Sequence, residues 1–146
     1  MIYGYAARSF NLQEQIADEV KRYARNHGLP LQEMVQDQAG QKVKWQYRHL
    51  ATLLRQMQDG DSLIIYEAAD IGLDFEQVAK FLGKVVDKEI KVHFIKYDKI
   101  FYGTKHLPTD ELIDLMRHIE SDFIALAAVC NELAKFSVTK SKRIKI

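Results

Sequence analysis

Short runs of β-forming residues alternate along this chain with longer segments in which apolar residues recur at helical spacing. The β-forming runs lie at residues 2–6, 31–35, 62–66 and 91–95, and a shorter one follows at residues 99–102. Helical periodicity occupies most of the intervals between them. This alternation predicts crossover connections and a mostly parallel sheet with helices packed against it. We therefore expect an α/β fold, a three-layer sandwich with four to five strands.

The last helical segment, predicted at residues 109–136, has a long apolar seam. Its apolar positions are spaced alternately by four and three residues: Leu112, Met116, Ile119, Phe123, Leu126, Cys130 and Leu133. Such a heptad pattern is typical of helices that pack lengthwise against another helix. The seam can be covered by the chain's own sheet or by a second copy of the chain. We expect a long C-terminal helix that forms a homodimer through these residues.

Composition limits the class of protein. The 146 residues, of which 47% are hydrophobic, suit one globular domain, which we assign to residues 1–136. No run approaches the roughly 18 apolar residues of a membrane span, so no membrane contact is expected. One cysteine, Cys130, forms no internal disulfide, which favours the cytoplasm. The five histidines lack metal-ligand spacing, so we expect no metal or cofactor, and we expect His93 to pair with solvent or a neighbour in its strand.

A basic tail ends the sequence. The formal net charge is only +1, which gives no general case for nucleic-acid binding. Residues 137–146, however, contain four cationic side chains and no anionic one: Lys140, Lys142, Arg143 and Lys145. Such a tail either stays solvated or holds a phosphate backbone, which positions DNA without reading its sequence. We expect no helix-turn-helix domain in this chain, and hence no reading of bases in a major groove.

The loop after the first strand carries a recognisable motif. Residues 5–13 read YAARSFNLQ, and they resemble the Tyr-x-Arg-x-Ser-x-x-x-Gln motif that begins the catalytic domain of serine site-specific recombinases, the resolvase/invertase family. Tyr5, Ser9 and Gln13 occupy matching positions. Four later segments resemble motifs of the same family in the same order: residues 39–40, 48–54, 67–73 and 119–122. The resemblance extends over roughly residues 1–135.

The resemblance implies a serine nucleophile within a phosphate site lined by arginines. In this family the serine attacks a DNA phosphodiester and becomes linked to it, while arginines stabilise the developing charge. A guanidinium suits this task because it is planar, permanently charged and donates two hydrogen bonds to a phosphate. By position, Ser9, Gln13 and Arg48 would be the catalytic residues. Arg8 would contact DNA together with the basic tail.

Most of the family's arginines are replaced in this sequence. The positions concerned are Ala7, Asp70, Leu73 and Ser121. Arg48 is retained, whereas Arg8 is one residue out of place and points the opposite way in an extended chain. Loss of one oxyanion donor typically costs about a hundred- to a thousandfold in rate. We therefore expect a degenerate recombinase domain that has lost strand cleavage and acts as a dimerising or accessory module, with DNA or an active recombinase as partner.

Two other functions stay open. One is an active or accessory recombinase that forms a phosphoseryl link to DNA through Ser9. The other is a phosphate- or nucleotide-binding α/β domain, although the sequence has no Gly-rich phosphate loop. Trp45 and Tyr47 either stack on bases or pack locally, and we favour local packing. We expect the acidic residues after the third strand to form a solvated edge rather than a magnesium site; they are Glu67, Asp70 and Asp74.

Overall fold

The computed structural model describes residues 1–7, 13–37, 43–103, 110 and 112–125. This part of the chain contains five strands: β1 (Ile2–Ala6), β2 (Leu31–Gln36), β3 (Ser62–Ile65), β4 (Lys91–Phe94) and β5 (Lys99–Tyr102). It also contains four α-helices: α1 (Gln13–Asn26), α2 (His49–Gln56), α3 (Phe75–Asp87) and α4 (residues 112–125). A 3-10 turn at Trp45–Tyr47 precedes α2, and a second at Ala68–Asp70 follows β3.

The strands form one sheet in the order β2-β1-β3-β4-β5. The first four strands are mutually parallel, and β5 runs antiparallel to β4. An antiparallel neighbour needs only a tight turn, whereas a parallel neighbour needs a crossover. The connection from β4 to β5 is such a turn, in which the Asp98 amide donates to the Ile95 carbonyl at 3.2 Å. The predicted mostly parallel sheet of four to five strands is confirmed.

Helices cover both faces of the sheet, and the side chains of β3 show the division. Leu63 and Ile65 point into the larger core, which α2, α3 and α4 cover. Ile64, between them, packs on the other face against Val20 and Ala24 of α1. Because successive strand residues face opposite sides, one apolar run supplies both cores. The three-layer arrangement that the sequence predicts is therefore present.

Helix α1 ends in a left-handed glycine. Gly28 has a φ of +64°, a conformation that costs glycine little. Its amide donates to the Arg25 carbonyl at 3.2 Å, and the Leu29 amide donates to the Ala24 carbonyl at 2.8 Å. This pair of bonds is a Schellman motif, which satisfies carbonyls that the helix leaves unpaired. The predicted end of the helix at His27 and Gly28 is confirmed.

Helix α4 packs on the larger core through the first members of the predicted seam. Ile119 is fully buried, as is Leu115 beside it. The partly buried side chains of Leu112, Met116 and Phe123 also contact this core. Packing within the chain therefore already occupies much of this half of the seam, and Ile119 has no surface left for a partner.

Several predicted functional residues lie outside the described part of the chain. They are Arg8, Ser9, the side chain of Gln13, the Ala39-Gly40 pair, the later seam residues Leu126, Cys130 and Leu133, and the tail residues Lys140, Lys142, Arg143 and Lys145. Within the described residues, no helix combines the length and apolar character needed to span a membrane.

Candidate functional site

The carboxyl ends of β1, β2 and β3 meet at one edge of the sheet, beside the start of α2. In parallel α/β sheets, ligands bind beyond this edge. Tyr5 comes from β1, and Asp37 directly follows β2. Arg48 and His49 begin α2, and the turn containing Asp70 follows β3. Polar side chains from four segments of the chain are thus brought together at the place where the sequence resemblance predicts an active site.

A buried carboxylate organises one side of this site. The Tyr5 hydroxyl donates to Asp37 Oδ2 at 2.7 Å, and His49 Nδ1 lies 3.0 Å from Asp37 Oδ1. A carboxylate oxygen only accepts hydrogen bonds, so Nδ1 carries the proton and Nε2 is left as the acceptor nitrogen of neutral His49. Asp37 is buried, whereas the His49 side chain is 74% exposed. The imidazole of His49 is therefore accessible to solvent or to a bound molecule.

The pKa of Tyr5 is strongly raised, mainly by burial. The positive charge of Arg48 opposes this shift, and the hydrogen bond to Asp37 adds to it. A phenol with such a pKa stays protonated throughout the physiological range. Tyr5 therefore acts as a fixed hydroxyl that bridges Arg48 and Asp37.

The guanidinium of Arg48 is bound inside the protein. Nη1 donates to the Tyr5 hydroxyl at 2.9 Å and to the Asp70 carbonyl at 2.8 Å, and Nη2 donates to the Ile71 carbonyl. The residue is only 4% exposed. Its Nε is buried and has no hydrogen-bond partner within the described part of the chain. The guanidinium thus holds together β1, α2 and the turn after β3, and it presents little surface to a ligand.

The other arginine-matched positions contain no cation. Ala7 is fully buried at the end of β1. Leu73 is an exposed aliphatic side chain, and Ser121 is exposed on α4. The structure therefore offers no guanidinium at any of these positions to stabilise charge on a phosphate.

Asp70 is folded into the protein rather than aimed at solvent. It is 0% exposed, and its Oδ2 accepts from the Glu67 amide at 3.0 Å. The Glu67 side chain in turn accepts from the Asp70 amide, which completes a capping box around the 3-10 turn. Asp74 caps α3 by accepting from the Gln77 amide at 2.8 Å. Glu67, Asp70 and Asp74 therefore each accept a hydrogen bond from a backbone amide. No group of three or more potential metal ligands occurs among the described side chains.

Trp45 packs locally, as predicted, whereas Tyr47 is an exposed aromatic residue. The Trp45 indole N–H donates to the Gln77 carbonyl at 3.0 Å, and its ring contacts Phe81 edge-on. Tyr47 is 81% exposed. His93 pairs with a neighbour, as predicted, because its Nδ1 lies 3.1 Å from the Tyr23 hydroxyl.

A second polar cluster joins α4 to the same edge of the sheet. The Tyr97 hydroxyl donates to Asp122 Oδ2 at 2.5 Å and accepts from the Ala68 amide at 3.1 Å. Lys96 Nζ lies 2.9 Å from Glu67 Oε2 and 3.0 Å from Asp122 Oδ1. Burial raises the pKa of Tyr97, and its bond to Asp122 raises that pKa further. This cluster fixes α4 to the segments that follow β3 and β4.

Sequence reasoning did not single out Asp37, His49 or Tyr97. Asp37 directly follows a strand, and side chains at the carboxyl ends of parallel strands are the first to inspect. That rule would have marked Asp37. His49 and Tyr97 carry no comparable signal, since only the folded chain brings them to their partners.

Comparison with protein-family models finds no match, and comparison with curated proteins finds none either. Among solved structures, the chain is similar to the N-terminal catalytic domain of TP901-1 integrase. The TM-score is 0.59 at 11% sequence identity, over 91% of this chain and 98% of that one. The chain is also similar to the C-terminal catalytic domain of ISC1926 TnpA, an IS607-like serine recombinase. There the TM-score is 0.53 at 13% identity, over 89% of this chain and 86% of that one. This chain therefore has the fold of serine recombinase catalytic domains, as the sequence resemblance predicted.

Proposed function

We propose that this protein is a recombinase-type domain that has lost DNA strand cleavage and acts as a dimerising or accessory module in site-specific recombination. Its partners would be a second copy of the chain, an active recombinase, or DNA held through phosphate contacts by Arg8 and the basic tail. The single cysteine agrees with a cytoplasmic location. We assign the recombinase-type domain to residues 1–136 and the basic tail to residues 137–146.

The internal binding of Arg48 is the observation that carries this proposal. Arg48 is the arginine that the motif comparison retains, and three internal acceptors bind its guanidinium. A phosphate could reach that guanidinium only by displacing Tyr5 or the carbonyls of Asp70 and Ile71. A displaced carbonyl would then be buried without its donor, which costs about 1–3 kcal/mol for each, and Tyr5 would keep only its bond to Asp37. Arg48 is therefore better suited to structural support than to charge stabilisation.

The remaining substitutions strengthen the case against cleavage. Each missing donor to a developing oxyanion typically costs about a hundred- to a thousandfold in rate, although such losses do not simply add. Ala7 and Leu73 cannot donate hydrogen bonds through their side chains. The Asp70 carboxylate adds negative charge near the edge where a phosphate would bind. Even with Ser9 as a nucleophile, the attack would lack the charge stabilisation that the reaction requires.

The test is a search for a covalent protein–DNA adduct. The full chain is incubated with nicked or mismatched suicide substrates, beside an active serine recombinase as positive control and the Ser9→Ala variant as negative control. We expect the positive control to form an adduct, and we expect this protein and its Ser9→Ala variant to form none. An adduct that depends on Ser9 would overturn the proposal and would instead support the active recombinase.

A further inference from the structure

A cavity of about 450 Å³ lies between α2 and α3, separate from the site at the strand ends. Its lining includes Ala51 and Leu54 of α2 and Lys84 of α3, together with Trp45. Neither Arg48 nor Asp37 contributes to it. Cavities that bind small molecules usually measure about 300–1,000 Å³ and have mostly apolar walls with a few placed polar groups. This cavity has the size and the wall composition of such a site.

The floor of the cavity is rigid before any ligand binds. Its indole, Trp45, is held by the hydrogen bond to the Gln77 carbonyl and by the edge contact with Phe81, at a centroid distance of 5.4 Å. Ala51, which also lines the cavity, contributes only a methyl group and so occupies little of its volume. A preformed apolar wall lowers the entropic cost of binding because few side chains must be ordered.

The rim of the cavity is positively charged. Arg55, Lys84 and Lys88 line it against one carboxylate, that of Asp87. The Lys88 ammonium donates to the carbonyls of Leu54, Arg55 and Met57, at Nζ–O distances of 2.6 to 3.1 Å. An ammonium has three protons, so all the donors of Lys88 are bound within the protein.

The other two cations keep donors for a ligand. Arg55 makes a single hydrogen bond, to Thr52 Oγ1 at 3.3 Å, within the described part of the chain. Lys84 has no partner among the described residues. Among the described residues, Arg55 and Lys84 therefore keep donors that can bind an anionic group at the cavity.

We propose that this cavity binds a small organic anion whose apolar body lies against Trp45, Ala51 and Leu54 and whose anionic group pairs with Arg55 and Lys84. The apolar floor selects for a hydrophobic body, and the surplus of positive charge at the rim selects for a carboxylate, sulfonate or phosphate. Neither feature depends on recombination, so the site can act as an independent ligand-binding or regulatory site.

The test compares two fluorescent probes that differ in one anionic group. The anionic probe is 1-anilinonaphthalene-8-sulfonate, and the neutral probe is N-phenyl-1-naphthylamine, which lacks the sulfonate. Trp45 is the sole tryptophan of the chain, so quenching of its emission and energy transfer to the probe both report on this site. We expect one molecule of the anionic probe to bind per chain, about tenfold more tightly than the neutral probe.

Two charge-reversal variants decide whether the rim selects the anion. Lys84→Glu is expected to weaken binding of the anionic probe about tenfold and to leave the neutral probe unchanged. The matched control is Lys80→Glu, because Lys80 lies on the same helix, is exposed and pairs with Glu76 at 3.0 Å outside the cavity. The control is expected to change neither affinity. The proposal is overturned if the anionic probe does not bind at millimolar concentration, or if both variants weaken it equally.

A cavity-filling variant tests the apolar floor separately. Ala51→Leu is expected to weaken both probes about tenfold, since the larger side chain enters the space beside the indole. Circular dichroism confirms whether this variant is folded. If it is not, the two lysine variants alone decide the question. Undiminished binding to folded Ala51→Leu would show that the probes bind elsewhere and would overturn the proposal.

Discussion

The hydroxyl of Tyr5 lies between a buried cation and a buried carboxylate, because it accepts from Arg48 and donates to Asp37. Transferring a charged group from water into a protein costs several kcal/mol unless hydrogen bonds and opposite charge compensate. Here the compensation comes from one hydroxyl, two carbonyls and the nearby carboxylate. Removing one member of the network therefore leaves its direct partners with one hydrogen bond fewer inside the protein, at the cost of an incompletely satisfied buried group.

Arg48→Gln is expected to lower the free energy of unfolding by about 3 kcal/mol, since it leaves Tyr5 and the carbonyls of Asp70 and Ile71 without their donor. Urea unfolding followed by circular dichroism measures the change. Arg55→Gln is the matched control, because Arg55 is an exposed arginine on the same helix. It should change the free energy of unfolding by less than about 0.5 kcal/mol. Equal effects of the two substitutions would show that the buried network does not stabilise the fold.

His93 gives the stability a dependence on pH. Burial lowers its pKa, and the charges of Lys91 and His27 lower it further. The unfolded chain therefore takes up a proton near pH 6.5, its ordinary pKa, while the folded protein does not. Above about pH 6.5, His93 is neutral in both states and the free energy of unfolding is at its full value. As the pH falls below about 6.5, proton binding favours the unfolded chain, so the free energy of unfolding decreases until the pH reaches the lowered pKa of the folded protein.

In the His93→Gln variant, the free energy of unfolding should depend less steeply on pH between about pH 7 and 5 than in the unsubstituted protein. Urea titrations at several pH values measure this slope. Tyr23→Phe is the control, because it removes the hydrogen bond to His93 but keeps the buried imidazole. The control should keep the original slope. A His93→Gln variant with an unchanged slope would contradict this role for the imidazole.

At the scale of secondary structure, local sequence decides which elements form. The apolar run in β3 and Gly28 at the end of α1 correctly predict a strand and a helix end, since both signals are contained in a few adjacent residues. The burial of Arg48 and Asp70 could not be predicted in this way. Both are charged residues beside a loop, and their burial depends on acceptors that come from other segments of the chain. The sequence can therefore predict which edge of the sheet carries the site, but it cannot predict which hydrogen-bond partners the charged side chains at that edge have.

The cluster around Asp122 adds polar bonds to the apolar contacts of Leu115 and Ile119 that pack helix α4 on the core. The Asp122 carboxylate accepts from Tyr97 and pairs with Lys96, which also binds Glu67. Asp122→Asn is expected to weaken this attachment, because an amide cannot neutralise Lys96 and accepts more weakly from Tyr97. Amide hydrogen exchange within residues 112–125 should become about tenfold faster, while exchange in β1 and β3 stays the same.

Asp114→Asn is the control for that prediction. Asp114 lies on the same helix and pairs with Lys99 at 2.7 Å, but its side chain is 46% exposed. Solvent-exposed ion pairs contribute little to stability, so the control should change exchange in α4 by much less than Asp122→Asn does. If both variants accelerate exchange equally, the partly buried bond of Asp122 to Tyr97 has no special part in docking the helix.

At the scale of the whole molecule, the chain has the fold of serine recombinase catalytic domains, but it has no arginine at four positions that the sequence resemblance matches to arginines. Ala7 and Asp70 are now fully buried parts of the folded interior. An arginine at either position would force a long side chain into packed space. Ala7→Arg and Asp70→Arg are therefore expected to lower the free energy of unfolding.

The outer face of α4 is the surface that best supports a dimer. Ile113 is 44% exposed and Ile124 is 63% exposed. They are eleven residues apart, so at 3.6 residues per turn they lie on one face of the helix. The opposite face, with Leu115 and Ile119, is already buried in the chain's own core. Within the described part of the chain, a second copy would therefore contact this outer face rather than the face that carries Leu115 and Ile119.

We expect the protein to be dimeric at high micromolar concentration in light scattering, and we expect the double variant Ile113→Glu and Ile124→Glu to be monomeric. Burying an isoleucine contributes roughly 1.5–3 kcal/mol. Each dimer contains two copies of both residues, so the double variant replaces four isoleucines at the interface with carboxylates. This should weaken association by well over a hundredfold. The control replaces two exposed apolar residues outside α4, Leu73 and Phe75, with glutamate. It should remain dimeric. If the unsubstituted protein is monomeric, the dimer is refuted. If the control is monomeric while the α4 variant stays dimeric, the interface lies at the start of α3 instead.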